Sequence, residues 1–272
     1  MKNASLAVAV VTLTVMGGIS SSAQAQEEIS HVGESLVQAS TKGDLDAVKA
    51  AITNGADVNY ATPGTGASAL LFAAEKGHLE VVSYLISRKA DINKGDEYGG
   101  TALHYAVING HLDIAKALVA AHCNINAKTV DEETPLYLAA YIGNVDAVKL
   151  LTASNALVNA EEKNGFTPLH AASIKGNVEI LRILLAAGAN VNSVSKEGYT
   201  PLHRAAGWGK TEAAQLLLDS GANVNAKDKN GSDPLFWASL RRHAEVAKLL
   251  RQRGGSDTTI GDMLKDSLDS SK

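Results

Sequence analysis

Apolar residues return along this chain at i, i+3, i+6 and i+7, the spacing of one buried helix face. The series reads Leu79, Val82, Leu85, Ile86 in one stretch, Val145, Val148, Leu151, Thr152 in a later one, and Val178, Leu181, Leu184, Leu185 in the next. Ahead of each lies a shorter apolar stretch that opens on a recurring tetrapeptide. Thr167-Pro168-Leu169-His170 and Thr200-Pro201-Leu202-His203 give its full form. The same slot holds Ser68-Ala69-Leu70-Leu71, Thr101-Ala102-Leu103-His104, Thr134-Pro135-Leu136-Tyr137 and Asp233-Pro234-Leu235-Phe236. The starts fall at 68, 101, 134, 167, 200 and 233, so every step is 33 residues. A fixed period of this length marks stacked supersecondary units sharing one elongated core, not a globule closed around a cleft.

The punctuation of the unit predicts its elements. Thr before Pro suits a helix start: the hydroxyl caps a free amide, and Pro lacks the amide that would go unpaired. Nine residues after each start stands a glycine (Gly77, Gly110, Gly143, Gly176, Gly209), suited to the left-handed turn that ends a first helix. Gly188 and Gly221 do the same for second helices, and Asn93, Asn126, Asn159, Asn192 and Asn225 close the phrase. The unit is therefore helix, tight turn, antiparallel helix, extended loop. One loop departs from the rule: Glu132 fills the slot of Gly66, Gly99, Gly165, Gly198 and Gly231.

These phrases, above all Gly165 to Ala172 and Gly188-Ala189-Asn190-Val191-Asn192, closely resemble the ankyrin repeat. The resemblance spans about residues 34–258. It implies an all-α repeat solenoid, an ankyrin stack of helix-turn-helix units with projecting β-hairpin loops and a concave face. Seven repeats are expected over 26–258 (30–62, 63–95, 96–128, 129–161, 162–194, 195–227 and 228–258). The outer two are degenerate: the first, from near Glu34, lacks the tetrapeptide, and the last carries Arg242 and Arg251 at the glycine and fourth apolar slots. Such polar changes suit end caps with one face in water. Residues 259–272 form either a capping helix, through Ile260, Met263, Leu264 and Leu268, or a polar tail.

The N-terminus changes the picture of location. Lys2, an apolar stretch from Leu6 to Met16, and Ala23-Gln24-Ala25 have the layout of a bacterial signal peptide over 1–25, with the mature chain beginning at Gln26. The apolar run is shorter than the roughly 20 residues that span a bilayer, so an uncleaved anchor is the weaker alternative. A periplasmic or secreted chain with no membrane span after cleavage is expected. Loss of Lys2 moves the formal charge from −4 to −5, which disfavours a nucleic-acid partner. The lone Cys123 excludes an internal disulfide and occupies an Ala slot of the repeat.

Chemistry is sparse. His104, His170 and His203 sit on the 33-residue step, two repeats and then one apart, so each belongs to a different helix of a stack whose neighbours are roughly 8–10 Å from one another. Zinc ligands each lie about 2 Å from the metal, so structural histidines are expected. The resemblance implies hydrogen bonds within loop and first helix for this residue. No nucleophile elbow, phosphate loop or paired-histidine helix occurs in the sequence. The chain is read as non-enzymatic, with no catalytic residue, metal or cofactor.

What the repeat does not need is more informative. Ankyrin proteins generally contact partners through hairpin tips and the ends of first helices. Here those slots present Tyr98, Phe166 and Tyr199 on loops, and Ile108, Tyr141, Ile142, Ile174, Trp208 and Arg241 on helices. Aromatic residues make up only 4% of the chain, so this concentration points to a strip that binds another protein. The expected role is a monomeric interaction module whose concave face protects or neutralises a periplasmic enzyme, as an immunity or accessory protein. A secreted effector acting on a host protein and a small-ligand site on the aromatic strip are the alternatives.

Overall fold

The computed structural model describes residues 20–256, with side chains from Ser30 onward. Among these residues lie fourteen helices arranged as seven antiparallel pairs. The pairs are α1 (Ser20–Lys42) with α2 (Leu45–Thr53), α3 (Ala69–Lys76) with α4 (Leu79–Ser87), and α5 (Ala102–Ile108) with α6 (Leu112–Ala120). They continue as α7 (Pro135–Ile142) with α8 (Val145–Ala153), α9 (Pro168–Lys175) with α10 (Val178–Ala186), α11 (Pro201–Gly207) with α12 (Thr211–Asp219), and α13 (Pro234–Leu240) with α14 (Ala244–Gln252).

Local chemistry sets these boundaries. Thr134 and Asp233 accept the amides of Tyr137 and Phe236 at the starts of α7 and α13, and Pro occupies the first turn of both. Gly77, Gly143 and Gly176 end α3, α7 and α9 at φ of 85°, 87° and 74°, where a Cβ would be strained. Asn144 and Asn177 then cap α8 and α10 through the amides of Ala147 and Ile180.

The core is two columns of leucine. Leu70, Leu103, Leu136, Leu169, Leu202 and Leu235 run through the first helices, and Leu85, Leu118, Leu151, Leu184, Leu217 and Leu250 through the second, none above 1% exposed. Each such side chain contributes about 1.5–3 kcal/mol by leaving water. Beside them, Ala73, Ala106, Ala139, Ala172, Ala205 and Ala238 are fully buried, small enough to let helices approach closely. First helices pack on one another more extensively than second helices do. The stack therefore curves with the first helices inside.

The loops project as tight turns rather than strands. Each is closed on itself, as in Glu162 N–H to Phe166 C=O and Ser195 N–H to Tyr199 C=O, and each is stitched to the preceding loop. Val130 bonds Tyr98, Lys163 bonds Asp131, Lys196 bonds Asn164, and Lys229 bonds Glu197, all at 2.8–3.1 Å. The only bridge of strand type among the described residues joins Ala61 and Ser68. The asparagine series forms a second seam: the Asn93, Asn126, Asn159, Asn192 and Asn225 side chains accept the amides of Asn124, Leu157, Asn190, Asn223 and Ser256 in the next repeat.

Two features differ from the sequence expectation. The first repeat, expected to begin near residue 30, instead opens inside a longer helix: α1 is continuous from Ser20 and carries Gly33 against the Tyr60 ring. Left-handed backbone is also not confined to glycine: Lys89, His122, Glu132, Asn155 and Arg242 hold φ of 61–65° in repeat slots that glycine fills elsewhere. Most of the expected signal segment and all of the 259–272 tail, with the final repeat residues 257–258, lie outside the described residues.

Candidate protein-binding face

The three histidines tie loops to helices. Nδ1 of His104 faces the Thr101 amide and hydroxyl at 3.1 and 2.9 Å, while Nε2 contacts the Glu133 carbonyl at 3.2 Å. His170 and His203 repeat the arrangement toward the carbonyls of Tyr199 and Ser232. All three are buried, and burial lowers each pKa, that of His170 to about 4. They are occupied neutral connectors between adjacent repeats. No group of three metal-ligating side chains occurs among the described residues.

With the first helices inside, the loop tips and first-helix ends line the concave face. Tyr98, Ile108, Tyr141, Ile142 and Trp208 are exposed large hydrophobic residues there, from 42% to 62%. Arg241 is exposed too, whereas Phe166, Ile174 and Tyr199 are half-buried. The position four residues after each tetrapeptide start forms a further column, in which Phe72, Tyr105, Arg204 and Trp237 are partly exposed at the face while Leu138 and Ala171 are buried beneath it.

Over the first half of the stack this column is aromatic and acidic. The Tyr105 hydroxyl donates to Asp96 Oδ2 at 2.5 Å, and Asp96 also accepts the amides of Tyr98 and Gly100. Burial and then Asp96 raise the Tyr105 pKa, keeping the phenol a donor. Tyr98, Tyr105, Ile108, Val130 and Leu138 surround an open depression edged by Asp131 and Glu133.

The second half is a ladder of cations on rings. Lys175 lies 4.5 Å from the centre of the Tyr141 ring, and Tyr141 stacks on Tyr137 at 6.4 Å. Arg204 is sandwiched between Phe166 and Tyr199, 4.2 and 4.3 Å from their centres. Arg241 lies 5.5 Å from the Trp208 ring and 5.6 Å from that of Trp237. Such contacts stabilise a cation by about 0.5–2 kcal/mol, more where water is excluded. Phe166 and Tyr199 are half-buried because they hold Arg204, which no residue-by-residue reading of the two loops would reveal.

A family model described as ankyrin repeats (3 copies) matches residues 36–129, 122–195 and 187–262. The chain belongs to the ankyrin-repeat family. Among solved structures, the crystal structure of the human ASB11 ankyrin repeat domain is similar, with 28% identity and a TM-score of 0.72 over 82% of this chain and 99% of that one. No curated protein matches. The repeats make the chain a protein–protein interaction module, of a family that is typically non-enzymatic.

Proposed function

We propose that this protein is exported and docks a partner protein on its concave face, protecting or neutralising an enzyme of the periplasm. Export is supported by Lys2, the Leu6–Met16 stretch and the Ala23-Gln24-Ala25 ending. The observation that carries the docking reading is the set of exposed rings on one side of the stack, with Tyr98, Tyr141 and Trp208 each about half accessible or more. Aromatic rings of this kind are the usual anchors of protein interfaces. The surface is also pre-formed by hydrogen-bonded loops, so little conformational entropy is lost on docking.

A protein partner suits the face better than a small molecule, because its depressions are open and lack the enclosure typical of ligand pockets. Onward secretion to a host protein would use the same surface. The test is capture from periplasmic extract with the tagged mature chain, beside a Tyr141→Ala/Trp208→Ala double variant. Wild type should retain one enzyme in near-stoichiometric amount and change its activity, and the double variant should not. Equal recovery by both would remove the concave face from the interface.

A further inference from the structure

The Arg204 guanidinium is in no ion pair; the nearby Glu162 carboxylate favours its charge but is taken up by the amides of Asn164 and Phe166. Rings cover both of its faces, and its buried Nε makes no hydrogen bond. Arg241 donates only to the Gly207 carbonyl, at 3.2 Å, and none of Lys175, Arg204 and Arg241 is in an ion pair. By contrast, loop-tip cations beside this strip are paired: Lys128 with Glu132, Lys163 with Asp131, Lys229 with Glu197. The repeat does not require these charges. Arg204 stands in a column otherwise made of Phe, Tyr, Leu, Ala and Trp.

Arg204 and Arg241 line one small depression together with Tyr199, Trp208 and Trp237. A guanidinium clamped between rings cannot swing away, and only its in-plane N–H edges remain for an acceptor. A planar acceptor with two oxygens matches such an edge, and the charge-assisted pair is strongest where rings exclude water. The opposite end of the face, with Asp96, Asp131 and Glu133, would repel the same group.

We infer that the Arg204–Arg241 depression is a carboxylate pocket, which receives an Asp or Glu side chain of the partner protein and orients its acidic segment toward α11 and α13. This deepens the docking reading and rests on it. Partner residues beside that carboxylate would lie on Trp208 and Tyr141, with apolar ones running toward Tyr98 and Ile108. The pocket thus selects an acidic-aromatic segment, although the chain as a whole carries a net negative charge.

Trp208 and Trp237 are the only two tryptophans in the chain, and both border the pocket, so intrinsic fluorescence reports on it directly. The full mature chain is titrated with an acetylated, amidated Gly-Glu-Glu-Phe-Gly peptide and with its Gln-Gln counterpart. The Glu peptide should give a saturable change at least about tenfold tighter than the Gln peptide, as expected for a charge-assisted pair. Arg204→Gln should lose most of that response, Arg204→Lys should recover only part, and Lys149→Gln on the opposite side should lose none. If Arg204→Gln melts early, Arg241→Gln, at an exposed position, carries the same comparison. Equal response to the two peptides overturns the pocket, as does saturation by inorganic phosphate where the Glu peptide is silent. Silence toward the Glu peptide, with partner capture still abolished by the Tyr141→Ala/Trp208→Ala variant, removes the carboxylate pocket and leaves the docking face standing.

Discussion

The Trp237 indole N–H donates to Asp228 Oδ2 at 2.8 Å, joining a first helix to the loop that precedes it. Asp228 is 5% exposed and also accepts the amides of Asn230 and Ser232. Tyr105 and Asp96 make the same connection four repeats earlier in the stack, again nine residues apart. The relation fixes each ring where it edges the concave face, so stability and surface shape share one bond. Trp237→Phe removes the donor and keeps a ring. It should cost about 1.5–3 kcal/mol in urea melts, the usual loss of one hydrogen bond to a charged acceptor. An unchanged midpoint would mean that water replaces the indole without penalty.

The buried histidines set the acid response. Burial depresses the folded pKa of His170 from 6.5 to about 4, and lowers those of His104 and His203. Between those values the unfolded chain binds more protons than the folded one, so stability is full above pH 6.5 and drains as pH falls toward 4. His170 alone accounts for about 3 kcal/mol across that window. Urea midpoints should therefore fall steadily from pH 7 to pH 4.5, and His170→Gln should flatten the slope while lowering the midpoint at pH 7. A flat profile in the wild type would show that water reaches these rings.

Glu132 tests the loop geometry. Its φ of 61° matches the positive φ of Gly66, Gly99, Gly165, Gly198 and Gly231 in the same slot, so the side chain is carried in a conformation that favours glycine. The compensation is an exposed ion pair with Lys128 at 3.0 Å, which also lowers the Glu132 pKa. Surface pairs contribute little, whereas glycine loosens the unfolded chain. Glu132→Gly should raise the urea midpoint slightly with an unchanged slope. A lower midpoint would show that the pair outweighs the backbone strain.

Much of this architecture was legible because the repeat writes its constraints at fixed intervals. The glycines that close first helices, the histidines that tie loop to helix and the asparagine seam all fall on the 33-residue step, and each proves to have one geometric job. The Arg204 sandwich was hidden for the converse reason. Its parts come from Phe166, Tyr199 and a helix position that other repeats fill with Phe, Tyr, Leu, Ala or Trp, so no single register displays it. Only a charge standing in an apolar column signalled it. The long α1 was missed because the first repeat lacks the Thr-Pro phrase that marks where later helices begin.

Trp208 separates binding from folding. It caps α11 with its ring half exposed, and Arg241 lies over it from the next repeat. None of the fully buried leucines or alanines depends on that ring, since the core columns run along the inward faces of the helices. Trp208→Ala should therefore change folding stability by no more than about 1 kcal/mol. Partner affinity should fall by about 2 kcal/mol or more, the loss of an aromatic anchor at the centre of an interface. Lys149, whose exposed ammonium pairs with Glu179 on the second helices, and the exposed Lys248 provide the comparison. Their replacement by Gln should leave binding unchanged, because both lie on the outer curve of the stack. Calorimetric titration of the captured partner and a urea melt on each variant measure the two quantities separately. If the lysine variants lose binding while Trp208→Ala retains it, the partner sits on the second helices, and the aromatic strip serves only to hold Arg241 in place.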